Sequence, residues 1–86
     1  MKTIYKYRVP MPGPADIRMP QGAIVLSFQT QNGAPFIWAL VDEDEPVAVK
    51  ELRMYGTGHP VEDVGSLKFI GTTQQGPFVW HLFEKR

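Results

Sequence analysis

An all-β fold, a compact antiparallel sheet, sandwich or partly closed barrel of about six short strands, is what this sequence predicts. Three observations predict it. Runs rich in β-branched and aromatic residues alternate with clusters of glycine, proline and asparagine, the pattern of strands joined by turns. No ten-residue window shows a 3.6-residue apolar period with caps, so little or no helix is expected beyond one short turn. Two segments, residues 31–41 and 74–83, also read almost alike: a Gly/Pro-marked bend feeds an apolar run centred on Trp38 or Trp80. The echo covers only about ten residues, and one local hairpin solution used twice explains it more simply than duplication.

Residues 3–9 form the first expected strand, closed by Pro10, and the prolines at 10, 12 and 14 lack the amide donor that a ladder or helix needs. Residues 15–19 suit either a short strand or a single helical turn. Pro20-Gln21-Gly22 turns the chain into a strand over 23–30, whose apolar start implies a central position with both faces covered. Asn32-Gly33 supplies the positive φ angles of a tight hairpin, returning as a strand over 36–41. The four acidic side chains of Asp42-Glu43-Asp44-Glu45 repel one another and mark a solvated turn before Pro46. One strand is expected over 47–55, a helical turn near 61–65, and a closing hairpin of 67–72 with 77–84.

With 86 residues the chain is a single domain, 1–86, because a second would have too little sequence to bury its own core. It has no cysteine, so neither a disulfide nor a Cys/His zinc framework reinforces it, and assembly into a homo-oligomer is the expected reinforcement. Nine basic and nine acidic side chains balance, which makes duplex DNA an unlikely partner, since such affinity rests on neutralising phosphates. No apolar run reaches the roughly 20 residues of a membrane span, and the first residues lack a signal peptide's apolar centre. A cytoplasmic protein with no membrane partner and no cofactor is expected.

The most unusual stretch is Arg53-Met54-Tyr55-Gly56-Thr57-Gly58-His59-Pro60. Glycines on either side of Thr57 let backbone approach a ligand and present amide donors to phosphate or carboxylate. Arg53 offers a planar fork to the same anion, Tyr55 a stacking face, and His59 a hydrogen bond at the rim. The competing reading is a tight strand-to-loop bend whose glycines meet a backbone requirement. His59 and His81 are the only histidines; His81, inside an apolar strand, reads as a half-buried strand residue rather than a metal ligand. Ser27 and Ser66 lack the context of an activated nucleophile, so catalysis is not expected. Trp38, Trp80 and most phenylalanines are expected in the core. Tyr5 and Tyr7, interleaved with Lys2, Lys6 and Arg8, are the nearest thing to a basic aromatic strip for a single-stranded nucleic acid.

The motifs Lys2-Thr3-Ile4-Tyr5-Lys6-Tyr7, Gln31-Asn32-Gly33, Trp38-Ala39-Leu40-Val41-Asp42 and Tyr55-Gly56-Thr57-Gly58-His59-Pro60 together resemble a small group of phage and prophage proteins, over nearly the whole chain. That resemblance implies a setting in an infected or lysogenic bacterial host, where small β-rich proteins without catalytic residues often act in counter-defence. One such mode is a nucleotide sponge, a homo-oligomer that sequesters a cyclic dinucleotide or cyclic ADP-ribose type of signal. The candidate ligand-binding residues are then Arg53, Tyr55, Gly56, Thr57, Gly58 and His59, with Arg8, Arg18 or Lys50 as further cations. An inhibitor of the anti-CRISPR kind, docking through the acidic turn, is the alternative. A single-stranded nucleic-acid module comes next, and a hydrolase using His59 last.

Overall fold

The computed structural model describes residues 1–10 and 14–86. Eight strands form: β1 (Lys2–Arg8), β2 (Ile17–Pro20), β3 (Ile24–Gln31), β4 (Ala34–Asp42), β5 (Val47–Lys50), β6 (Leu52–Gly56), β7 (Leu67–Gln75) and β8 (Phe78–Lys85). A single 3-10 turn, Val64–Ser66, is the one helical element among the described residues. The all-β class stands. Two strands beyond the expected six arise because residues 17–20 do form a strand, and because the expected strand over 47–55 is broken at Glu51.

All pairings are antiparallel, in three small sheets ordered β1-β4-β3, β2-β5 and β6-β8-β7. The sheets abut at two seams. At one, β3 and β7 run side by side in the same direction. There the hydroxyls of Thr30 and Thr73 lie 2.9 Å apart, and Gln75 Nε2 donates to the Gly33 carbonyl at 2.8 Å. At the other, Pro14 bridges to Arg53 and Ala15 N–H donates to the Leu52 carbonyl at 3.1 Å, tying the approach to β2 onto β6. The Cα envelope measures 40 × 31 × 16 Å, and its short axis is that of two sheet layers spaced about 10 Å apart.

Buried residues alternate along β2, β4 and β6, whereas β1 and β5 bury none. On β4, Pro35, Ile37, Ala39 and Val41 face inward while Phe36, Trp38 and Leu40 face outward. Ile17 and Met19, Phe28, Leu52 and Met54, and Leu82 meet them in one core. No polar or charged side chain is buried among the described residues, so the interior leaves no desolvation cost to offset.

The echo between the two hairpins extends to their backbones. Asn32 (φ +52°) and Gly33 (φ +79°) make the expected turn, and Gly76 (φ +55°) opens the equivalent two-residue turn with Pro77. Both hairpins carry a bulge at the same place, five residues ahead of the last paired residue (Leu26 before Gln31, Ile70 before Gln75). The tryptophans, however, are not equivalent. Trp38 stands opposite Ser27, a place taken in the second hairpin by Leu82 opposite Gly71, while Trp80 corresponds to Phe36.

Four further expectations are corrected. Of Trp38, Trp80 and the phenylalanines expected in the core only Phe28 is buried, because Phe36 and Trp38 take the outward positions of β4, and Phe69 and Phe78 are exposed. The strand over 23–30 is not central with both faces covered: β3 is the last strand of its sheet, with Ile24 58% and Leu26 52% exposed. The continuous strand over 47–55 divides because its halves join different neighbours, β5 with β2 and β6 with β8, and the Glu51 carbonyl between them accepts from Lys85 N–H at 2.9 Å. Tyr5 and Tyr7 do not share a face with Lys2, Lys6 and Arg8, because side chains alternate along β1. Tyr7 packs inward against the core, and the Tyr5 hydroxyl donates to Glu43, a bond that raises its pKa above the ordinary tyrosine value.

Candidate functional site

The candidate site is built where β6 leaves its sheet. Residues 56–59 close a turn through the His59 N–H, which donates to the Gly56 carbonyl at 3.0 Å. Gly58 sits at the third position with φ +88°, a conformation a type II turn demands and other residues adopt at a cost of about 1 kcal/mol. Gly56 answers a different need. Its N–H donates to His59 Nδ1 at 3.1 Å, and the imidazole lies so close that a Cβ at Gly56 would come within 2.8 Å of the ring. Both glycines therefore have a structural cause before any ligand is considered.

The folded-back His59 stands as a partition between two hollows. One, of about 300 Å³, is lined by Gly56, Thr57, His59, Pro77, Phe78 and Trp80, with the rings of His59 and Trp80 edge to face at 6.4 Å. Trp80 is held in place by Gln75, whose Oε1 accepts from the indole N–H at 3.0 Å. The second hollow, of about 210 Å³, lies on the outer face of the β6-β8-β7 sheet. Its walls are aromatic: Phe83 meets both Tyr55, at 5.7 Å between ring centroids, and Phe69, at 5.4 Å.

His81 supplies the polar centre of that second hollow. Its Nε2 lies 2.8 Å from Thr57 Oγ1 and its Nδ1 lies 2.9 Å from Thr72 Oγ1. A neutral imidazole donates from one nitrogen and accepts at the other, so one threonine accepts and the other donates. Each hydroxyl keeps hydrogen-bonding capacity for a further partner. The Thr57–His81–Thr72 line thus fixes the ring and offers polar atoms beside an apolar stacking surface.

Of the candidates singled out in the sequence, Tyr55, Gly56, Thr57, Gly58 and His59 are brought together here. Arg53 projects from the same outer face as Tyr55 but lines a neighbouring hollow of about 220 Å³ with Glu62, Asp63 and Lys85, sharing Tyr55 as a wall. Its guanidinium donates to Asp16 at 3.0 Å and to the Leu52 carbonyl at 2.8 Å. The other three cations lie elsewhere. Arg8 is on the outer face of the β1-β4-β3 sheet, and Lys50 is paired with Glu84 at 2.9 Å. Arg18 lines a separate hollow with Tyr5, Tyr7, Glu43 and Glu45. No lysine or arginine lines either hollow beside His59.

Sequence reasoning missed His81, Thr72, Phe69 and Phe83 as members of this site. The available signal was the period of two along β8, which puts His81 on one face with Phe83 while Leu82 is buried opposite.

The fold and site define a small antiparallel β protein with an aromatic-walled surface hollow beside a glycine-containing turn. The chain belongs to the family described as a domain of unknown function, DUF7352, which matches residues 1–86. No curated protein and no solved structure matches it. No helix among the described residues is long and apolar enough to cross a membrane.

Proposed function

We propose that this protein is a non-enzymatic binding module that captures a small nucleotide-type ligand at the turn formed by residues 56–59. One observation carries the reading: the hollow walled by Tyr55, Phe69 and Phe83, into which Thr57 and His81 bring polar atoms, with Thr72 holding the His81 ring from beyond the lining. Aromatic walls suit the face of a base, and hydroxyls flanking a fixed imidazole suit its hydrogen-bonding edge. The adjoining hollow, reached past Tyr55, holds the nearest cations for a phosphate, Arg53 and Lys85, beside Glu62 and Asp63, with Arg53 also paired to Asp16. Capture without turnover fits a histidine whose two nitrogens are both engaged by threonines and none by a carboxylate. Sequestration of a nucleotide immune signal for counter-defence, the setting implied by the resemblance to phage and prophage proteins, requires only this capture and slow release.

Native mass spectrometry of the chain mixed with cyclic dinucleotides, ADP-ribose-type nucleotides and their parent nucleosides tests the reading. A retained nucleotide, recovered unchanged after denaturation, is the expected result. His81→Ala is expected to weaken retention by about tenfold, the loss of one or two polar contacts. Retention of no member of the panel, or retention indifferent to His81→Ala and Tyr55→Ala, overturns the site.

A further inference from the structure

The hollow lined by Arg18, of about 420 Å³, shares no residue with the two hollows beside His59. Two tyrosines wall it. Tyr5 and Tyr7 stand two residues apart on β1, so their rings leave the same face of the strand. The ring centroids are 6.4 Å apart and the planes are inclined at 66°, which makes the pair two sides of a corner. Each aromatic face carries a negative quadrupole, so a corner of two faces attracts an organic cation. Across from the rings, β2 contributes Arg18 and the buried Met19.

The turn after β4 sets the charge. Its four acidic residues divide alternately between two sides. Asp42 and Asp44 accept from the Met1 ammonium at 3.2 and 2.6 Å, whereas Glu43 and Glu45 line the hollow. The Tyr5 hydroxyl donates to Glu43 and holds that carboxylate beside the aromatic corner. Among the described residues no ion pair reaches Glu43, Glu45 or Arg18. Two carboxylates and one guanidinium thus surround the corner without pairing with one another.

We infer that this hollow binds a small zwitterion that joins a quaternary ammonium to an acidic group. The ammonium lies against Tyr5 and Tyr7 with Glu43 and Glu45 around it, and the acidic group lies on Arg18. A quaternary ammonium has no N–H to donate, so aromatic faces and nearby carboxylate charge recognise it where hydrogen bonds cannot. A planar guanidinium suits the other end, because it forks a carboxylate or a phosphate. A nucleotide is the less suited occupant, since its phosphates meet two carboxylates for one arginine. A cation with no acidic group leaves Arg18 as an uncompensated like charge.

The test is a nuclear magnetic resonance titration of the full chain with four probes: glycine betaine, phosphocholine, choline, and dimethylbutanol, the uncharged isostere of choline. The two zwitterions are expected to bind more tightly than choline, and the isostere not measurably. Tyr5→Leu is expected to weaken both zwitterions by about tenfold with an unchanged circular dichroism spectrum, because the Tyr5 side chain is exposed. Arg18→Gln is expected to weaken the zwitterions by about tenfold yet leave choline bound as tightly or more so, a divergence that a folding defect does not produce. Binding of neither zwitterion, an isostere that matches choline, or indifference to Tyr5→Leu overturns the inference. A parallel loss of choline in Arg18→Gln overturns the placement of the acidic group. Sedimentation with phosphatidylcholine vesicles, abolished by Tyr5→Leu, assigns the same chemistry to a lipid headgroup, and phosphocholine binding without vesicle binding assigns it to a free solute. Nucleotide retention is expected to persist in Tyr5→Leu, so failure of this hollow and failure of the site at the turn are read separately.

Discussion

Leu82→Ala is expected to cost about 3 kcal/mol of stability, and Trp38→Ala only about 1 kcal/mol, although tryptophan is much the larger side chain. Leu82 is fully buried, paired across β8 with Met54 on one side and Gly71 on the other, so truncation opens a cavity walled by β-sheet on both flanks. The sheet backbone cannot close in on that cavity without breaking ladder hydrogen bonds, which keeps the cost within the range of buried leucines rather than below it. Trp38 stands on the outward face of β4, half-exposed, and its loss removes surface packing and a share of the Lys6 contact rather than core. A domain of this length has about 4–13 kcal/mol in total, so the first change removes a large fraction of it. Urea denaturation of the wild type and the two variants at one low chain concentration measures both. Equal losses for the two variants would mean that β4 presents its other face to the core.

The sequence-level account of strands succeeds where the information is local and fails where it depends on a partner. Asn32-Gly33 and the period of two along residues 35–41 are local, and both appear as expected in the hairpin and in the burial of Pro35, Ile37, Ala39 and Val41. The break at Glu51 is not local. Ala48, Lys50, Leu52 and Met54 keep one phase of alternation throughout, yet the strand's halves serve different sheets, a choice made by β2 and β8. The apolar run at 23–26 misled for a related reason. Its length reads as two covered faces, whereas one of those faces, Ile24 and Leu26, is covered by nothing within the chain.

The site was partly legible. The oddity of two glycines around Thr57 marks a real turn, and its φ of +88° at Gly58 is the reason glycine stands there. The cations added to it from a distance, Arg8, Arg18 and Lys50, were chosen by charge alone, and charge carries no information about which strand edge or sheet face a residue will occupy. Lys50 shows the difficulty plainly: its partner Glu84 is 34 residues away and meets it only because β5 runs on into β6 beside β8. Separation of Tyr5 and Tyr7 from Lys2, Lys6 and Arg8 needed no structure, since a strand alone puts odd and even positions on opposite faces.

Gly56→Ala is expected to abolish most ligand capture while lowering stability by no more than about 1 kcal/mol. A methyl group there meets His59 Cε1 at 2.8 Å and Nδ1 at 3.0 Å, too close for the ring to stay. The ring belongs to an exposed side chain, so it can swing away without disturbing the core, which keeps the stability cost small. Its departure breaks the bond from Gly56 N–H, removes the edge contact to Trp80 and joins the two hollows into one wider groove. If His59 is what shapes the site, His59→Ala produces the same defect by a different route. The two changes are then strongly non-additive, and the double variant binds no worse than either single one. Titration calorimetry with whichever nucleotide the wild type retains measures all three. Additive losses would mean that Gly56 acts through the backbone of the turn and not through the imidazole it accommodates, and full retention in Gly56→Ala would remove the turn from the ligand site altogether.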